Sequence, residues 1–304
     1  MRHPVQTTLN ASALARQLPG EYEYATLSDG ICHYRVDGPV CGKPLMLIHG
    51  ATVPGWQFDL IVPLLNQAGL RTIQFDLFGH GYSDRPDSAH DLALFTRQAL
   101  DLIEFLNIGE ELHVLGHSLG TAITADLLLS RPEQFASVIM SAPLVDFLAV
   151  NRAVRLLKMP WVGELLIDSY VVPMLVRRRT RRYRGIDDGR FVQMFRNQLQ
   201  LDGFGRSLLS LVRSGSLGDQ RNSYRSIAGL SKPIMLLRGS DDRVVTDAQM
   251  DELLALLPQA TVESIDRASH ASVLTHPQAV AEQVIQFLMP AGVGPTRQAR
   301  ELPN

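Results

Sequence analysis

The chain alternates short apolar runs with longer amphipathic ones. Pro44-Leu45-Met46-Leu47-Ile48 is continuously apolar, the pattern of a strand buried on both faces. Arg71–Phe75, Leu112–Leu115, Ser137–Met140, Ile234–Leu237 and Thr261–Ile265 read as further strands. Trp56–Ala68, Leu92–Leu106, Thr121–Ser130, Thr246–Leu257 and Pro277–Leu288 read as the helices between and after them. At the front, Glu21–Leu27 and Ile31–Val36 form a hairpin pattern around Ser28-Asp29-Gly30. Strands alternating with helices at this spacing predict an α/β fold with a doubly wound, mostly parallel sheet.

The rhythm stops near Val145. Residues 146–226 are helical or irregular and rich in arginine, and the strand-like pair Val171-Val172 is cut by Pro173. This segment is expected to be a helical cap inserted into a core made of residues 21–145 and 227–290. Residues 1–20, with one weak helical pattern, are expected to be a mobile leader. Residues 291–304, rich in Gly, Pro and Arg, are expected to be a flexible tail.

Composition narrows the classes. Hydrophobic residues are 45%, charged residues 20% and the net charge −2, which gives no global drive toward nucleic acid. No apolar run reaches the ~18 residues of a transmembrane helix. The N-terminal stretch lacks the apolar core of a signal peptide, so a cytoplasmic location is expected. Cys32 and Cys41 are expected to be reduced, and no Cys/His cluster has zinc-site spacing.

The chemistry concentrates in Gly116-His117-Ser118-Leu119-Gly120, between an apolar strand and a helix. That is the setting of a nucleophile elbow. The turn demands small residues two positions away on each side. It exposes Ser118 Oγ at the end of the sheet and leaves the Leu119 N–H, at a helix start, free for an oxyanion. A serine hydroxyl needs a base, usually a histidine oriented by a carboxylate. Such residues gather on loops at the carboxyl ends of parallel strands. Two later strands end suitably, in Gly239-Ser240-Asp241-Asp242-Arg243-Val244 and in Ser269-His270. The chain order is therefore Ser118, an aspartate, then His270.

Four stretches together resemble the α/β-hydrolase fold superfamily over roughly residues 21–290. They are His49-Gly50, Asp76-x-x-Gly79-x-Gly81-x-Ser83, the elbow, and Gly239-x-x-Asp242-x-Val244 with Ser269-His270. The resemblance implies Asp242 as the acid, with Asp241 and Asp146 as alternatives. It implies Ala51 as the second oxyanion donor, with Thr52 as the alternative. Asp76 and Ser83 are expected to tie a loop through side-chain-to-backbone bonds. His49 is expected to be structural, and His80, His113 and His276 to lie at the surface or in packing. His117 is expected to shape the pocket without acting as the base.

Serine as nucleophile separates the chain from dehalogenases and most epoxide hydrolases. The G-H-S-L-G form looks like esterase-like and lipase-like members, including those resembling monoacylglycerol lipases. The expectation is a carboxylic ester hydrolase working through an acyl-enzyme, on a small-molecule ester and with no metal or organic cofactor. A carbon–carbon bond hydrolase of aromatic degradation is the runner-up, although His117 and the short Ala51-Thr52-Val53-Pro54 loop depart from its pattern. A non-catalytic binding protein on the same fold is the alternative from another class, and peroxidase-like turnover would be a side reaction. The cap should form a lid whose apolar parts line an acyl pocket. Its run Arg177–Arg184 is expected to be a solvated helix face, with an anionic membrane surface or an acidic substrate group as the sharper alternatives.

Overall fold

The computed structural model describes residues 22–109 and 111–290, so the predicted leader and tail lie outside the described residues. Eight strands form one sheet: β1 Glu23–Leu27, β2 Gly30–Asp37, β3 Lys43–Ile48, β4 Leu70–Phe75, β5 Leu112–His117, β6 Phe135–Ser141, β7 Ile234–Gly239 and β8 Thr261–Ile265. Their order is β1-β2-β4-β3-β5-β6-β7-β8. β1 pairs antiparallel with β2, and β2 with β4; every other pairing is parallel. The predicted mostly parallel, doubly wound sheet is therefore present.

The α-helices of five or more residues are α1 Val62–Gln67, α2 Leu92–Phe105, α3 Leu119–Ser130, α4 Val162–Leu166, α5 Val172–Tyr183, α6 Arg190–Gln198, α7 Phe204–Ser214, α8 Arg221–Ala228, α9 Asp247–Leu256 and α10 Pro277–Leu288. Among the described residues no strand lies between Ser141 and Ile234, so the arginine-rich segment is helical as its pattern predicts.

Alternation along each central strand feeds two cores. Met46 and Ile48 pack on the side of α2, α3 and α9, with Val114, Met140 and Leu236. Leu45 and Leu47 pack on the side of α1 and α10, with Leu115, Ile139 and Met235. All four β3 side chains are fully buried. Each contributes on the order of 1.5–3 kcal/mol, which explains why the run is apolar on both faces. Local signals set the helix ends: the Asp91 carboxylate accepts the Leu94 N–H at 2.8 Å, and Thr246 and Gln249 form a capping box.

Two boundaries differ from the pattern. Trp56–Ala68 is a 3-10 turn, Gly55–Phe58, followed by the separate helix α1. Pro63 has no N–H for the Asp59 carbonyl, and the regular α-helix begins only at Val62, with Pro63 in its first turn. β5 extends through His117 because pairing with β6 continues to His117 and Ser141. No described helix is long and apolar enough to cross a membrane. β3, β5, β7 and β8 run parallel in one sheet, so the loops after them open on the same edge.

Candidate active site

Ser118 joins β5 to α3 with φ +54° and ψ −115°, a conformation that costs roughly 1–3 kcal/mol. Its surroundings hold it there. The Ser118 N–H donates to the Ser141 carbonyl at 2.9 Å, and the Thr121 hydroxyl donates to the Ser118 carbonyl at 2.6 Å. A β-carbon on Gly120 would lie 2.2 Å from the Ile48 carbonyl oxygen, and one on Gly116 2.3 Å from the Gly120 carbonyl oxygen. Both flanking glycines are thus required by close approach.

His270 lies between the serine and an acid. Its Nε2 is 3.0 Å from Ser118 Oγ, and its Nδ1 is 2.9 Å from Asp242 Oδ2. The other carboxylate oxygen of Asp242 accepts the Val244 N–H at 2.7 Å and the Val245 N–H at 3.1 Å. Burial pushes the Asp242 carboxyl up, but the His270 hydrogen bond and charge, with the two backbone N–H groups, outweigh it and hold the acid below its ordinary value. An ionised carboxylate only accepts, so the proton sits on Nδ1. The Nε2 lone pair then faces the Ser118 hydroxyl. The loops carrying acid and histidine are bound together. The Asp241 N–H donates to the Ala268 carbonyl at 2.8 Å, and a β-carbon on Gly239 would lie 2.1 Å from that oxygen.

The alternatives for the acid are not brought to His270. Asp241 is exposed. Asp146 caps a short turn of helix by accepting the Ala149 N–H at 2.9 Å, with Arg221 3.9 Å away.

The backbone around Ser118 is held by two buried histidines. A β-carbon on Gly50 would lie 3.3 Å from Ser118 Cβ, so the Gly50–Ala51 peptide abuts the serine. His49 Nε2 accepts the Leu77 N–H at 2.8 Å. That fixes the tautomer, so Nδ1 donates to the Gly50 carbonyl, 2.7 Å away. In a trans peptide the N–H opposes the C=O. The Ala51 N–H is therefore directed away from the His49 ring. Burial, with the charge of His80 beside it, lowers the His49 pKa to about 3, so this donor–acceptor arrangement persists at neutral pH. His80 Nε2 lies 2.9 Å from the Ala51 carbonyl oxygen and anchors the next peptide. The sequence pattern placed His80 at the surface or in packing; it is buried and bonded to this loop. On the other side, the Leu119 N–H opens α3 ahead of any intrahelical acceptor.

His117 is buried, 3.2 Å from the Ser141 hydroxyl, with its ring centroid 5.4 Å from that of His270. Burial and the neighbouring His270 hold its pKa at about 3. Its Nδ1 is turned to Ser141, and the histidine nitrogen that meets Ser118 Oγ is Nε2 of His270. Asp76 accepts from the N–H groups of Gly55 (2.8 Å) and Tyr82 (2.9 Å), and Ser83 donates to the Asp76 carbonyl at 2.6 Å. These are the loop ties expected of that stretch.

The cap meets this site. Arg179 donates to the Thr52 hydroxyl and to the Tyr183 hydroxyl, each at 2.6 Å. Arg182 donates to Ser269 Oγ, beside His270. Buried Gln198 bridges the Thr52 carbonyl (3.5 Å) and the Gly81 N–H (3.4 Å). The arginine run is thus not uniformly solvated: Arg177, Arg178, Arg181 and Arg184 are exposed, while Arg179 reaches into the core loop. Gln198 had no sequence signal, Arg179 had only its place in the Arg177–Arg184 run, and His80 had only its place in the Asp76–Ser83 stretch. A surface cleft of about 400 Å3 beside β8 and α10 is lined by Ser264, Asp266, Arg267 and Gln283, away from Ser118. Among the described residues no group of three or more His, Cys, Asp or Glu is arranged to hold a metal ion. Cys32 and Cys41 are both free.

Comparison with known proteins adds a family. The model of the alpha/beta hydrolase family matches residues 45–283. The chain is 24% identical over 286 residues to a non-heme chloroperoxidase of Streptomyces lividans, covering 86% of this chain and 98% of that protein. It is 23% identical to a 2-hydroxy-6-oxononadienedioate/2-hydroxy-6-oxononatrienedioate hydrolase of Cupriavidus pinatubonensis, covering 92% of this chain and 99% of that one. A bromoperoxidase structure from Bacillus anthracis superposes with a TM-score of 0.74 at 20% identity, covering 88% of this chain and 99% of that one.

Proposed function

This chain belongs to the alpha/beta hydrolase family, and from that premise we propose that it hydrolyses carboxylic esters through a covalent acyl-serine. The observation that carries the proposal is the unbroken relay from Ser118 Oγ through both nitrogens of His270 to Asp242. Ser118 Oγ attacks the ester carbonyl carbon as its proton passes to His270 Nε2. The carbonyl electron pair moves onto oxygen, where the Ala51 and Leu119 N–H groups receive it. Donors of this kind are worth about 2.7–4 kcal/mol each. Collapse of the adduct expels the alcohol, protonated by the imidazolium that Asp242 stabilises. Water then attacks the acyl-serine, His270 takes its proton, and the acid leaves. No step calls on a metal or organic cofactor.

Residues 146–226 act as the lid, and its apolar side chains set acyl preference. Arg179 adds positive potential beside the loop where the oxyanion develops. A cytoplasmic location is part of the same proposal.

The Cupriavidus relative favours a second reading, in which the same serine and histidine serve hydrolysis of a carbon–carbon bond next to a ketone. The chloroperoxidase relative points to a side reaction, with hydrogen peroxide replacing water on the acyl-serine to give a peracid.

The test is a fluorophosphonate probe followed by mass spectrometry, with turnover of p-nitrophenyl esters of graded chain length. The expected adduct is on Ser118, and Ser118→Ala abolishes both signals. A wild type that neither labels nor turns over any ester refutes the proposal. Faster cleavage of a vinylogous 1,5-diketone than of any ester transfers the assignment to the second reading.

A further inference from the structure

We propose that the cap docks this protein on an anionic lipid bilayer, through a stripe of exposed apolar side chains continued by arginines. The inference does not depend on the ester-hydrolase reading.

The stripe follows from helix geometry. α4 passes through a π turn, Ile167–Val171, directly into α5, and the junction residues keep right-handed helical dihedrals, so residues 162–183 form one rod. Its inner side is closed: Gly163, Ile167 and Tyr183 are buried. On its outer side Trp161, at the rod's start, is 86% exposed, Leu165 70% and Tyr170 63%. Trp161 and Leu165 are four apart. The wider π turn brings Leu165 and Tyr170, five apart, onto the same face. Exposed Pro173, Arg177, Arg181 and Arg184 continue that face at spacings of three and four. Leu156 and Met159, just before the rod, are also exposed.

The acids of the rod are turned away from this face. Glu164 is paired with Arg213 at 2.6 Å. The Asp168 carboxylate lies against Gly205 of α7, 2.0 Å from where a β-carbon there would sit. A cluster of large apolar side chains held in water marks an interaction surface. Trp and Tyr ahead of a basic segment suit the boundary between acyl chains and head groups.

Charge selects the occupant. Residues 146–226 carry 15 Lys and Arg against 7 Asp and Glu, a net of +8; the rest of the chain carries 14 against 24, a net of −10. An anionic surface attracts the cap and repels the core, which orients the molecule cap-down. A second copy meeting the same face would set +8 against +8. Apolar insertion and a polybasic patch together supply the two signals that stable peripheral attachment needs.

The chain provides its own reporter. It has two tryptophans: Trp56 is 3% exposed and Trp161 86%, so a change in emission on binding reports Trp161. Wild type is titrated with phosphatidylcholine vesicles holding about one-third phosphatidylserine, and with phosphatidylcholine alone. The expected result is a blue shift and co-sedimentation with the anionic vesicles, both weakened by salt. Trp161→Phe keeps sedimentation and loses the shift. Trp161→Ser with Leu165→Ser weakens binding about ten-fold or more. Arg177→Gln, Arg181→Gln and Arg184→Gln together weaken it on the order of 100-fold, at about five-fold per arginine. Unchanged thermal unfolding of each variant shows that the fold is intact. Failure of wild type to bind anionic vesicles overturns the proposal. So does binding that survives these substitutions, or a solution dimer that Trp161→Ser dissociates.

Discussion

Replacing His49 with phenylalanine keeps a ring in a fully buried site and removes both of its hydrogen bonds. The Leu77 N–H loses its 2.8 Å acceptor and the Gly50 carbonyl its 2.7 Å donor. Each unsatisfied buried group costs about 1–3 kcal/mol, so a stability loss of roughly 2–6 kcal/mol is expected. The effect on turnover is separate. The Gly50–Ala51 peptide is no longer pinned, and complete loss of one oxyanion donor lowers kcat by about 10²–10³. His80 still holds the following peptide, so the expected loss is smaller than that, about 10–100-fold, with KM nearly unchanged. His49→Asn separates the two effects. Its side-chain amide reaches the place of Nδ1 and not of Nε2, so much of kcat returns while the stability loss remains. Because His49 stays neutral down to about pH 3, the defect is the same at every assay pH near neutrality. The assays are steady-state kinetics on a soluble ester and urea unfolding. A destabilised His49→Phe with wild-type kcat would refute the reasoning, because His49 would then have no hold on the oxyanion-binding backbone.

Asp242→Asn places an amide where His270 Nδ1–H needs a carboxylate. The proton is then favoured on Nε2, facing Ser118, and kcat should fall by about 10⁴ with the fold retained; a loss below ten-fold counts against the relay. Gly120→Ala sets a β-carbon 2.2 Å from the Ile48 carbonyl oxygen and should destabilise by about 3 kcal/mol or more, seen as a large drop in Tm; a near-neutral change means the elbow can relax. Acid should unfold the chain through its buried histidines. The unfolded chain binds protons below about pH 6.5, but His49 and His117 resist them until about pH 3. Stability therefore falls as pH drops through that window, approaching about 1.4 kcal/mol per pH unit for each histidine. Urea midpoints that stay level from about pH 7 to about pH 5 would contradict this.

Periodicity made the sheet legible because it is a local signal. Leu45 to Ile48 state their burial in four consecutive letters, and Ser118 announces its turn through two glycines whose space the backbone occupies. His270 could be named because it follows a strand, whereas the strand pattern left the acid open between neighbouring aspartates and the family resemblance singled out Asp242. Their approach to Ser118 became visible only in three dimensions. Contacts that join distant segments left no such trace. Arg179 and Thr52 are 127 residues apart, and Gln198 and Thr52 are 146 apart. Nothing near either residue distinguishes an arginine that enters the core from Arg177 or Arg178, which stay in water. The break between Phe58 and Val62 was readable in principle from Pro63, but the amphipathic spacing across it suggested one helix.

The clasp between the seventh and eighth strand loops constrains anyone who re-engineers this protein. The constraint rests on Gly239 lying too close to the Ala268 carbonyl to admit any side chain. Segments 239–245 and 266–271 must be transplanted together, as one cassette. A chimaera that imports either alone would set two unmatched backbones against each other and lose its registry at the proton relay.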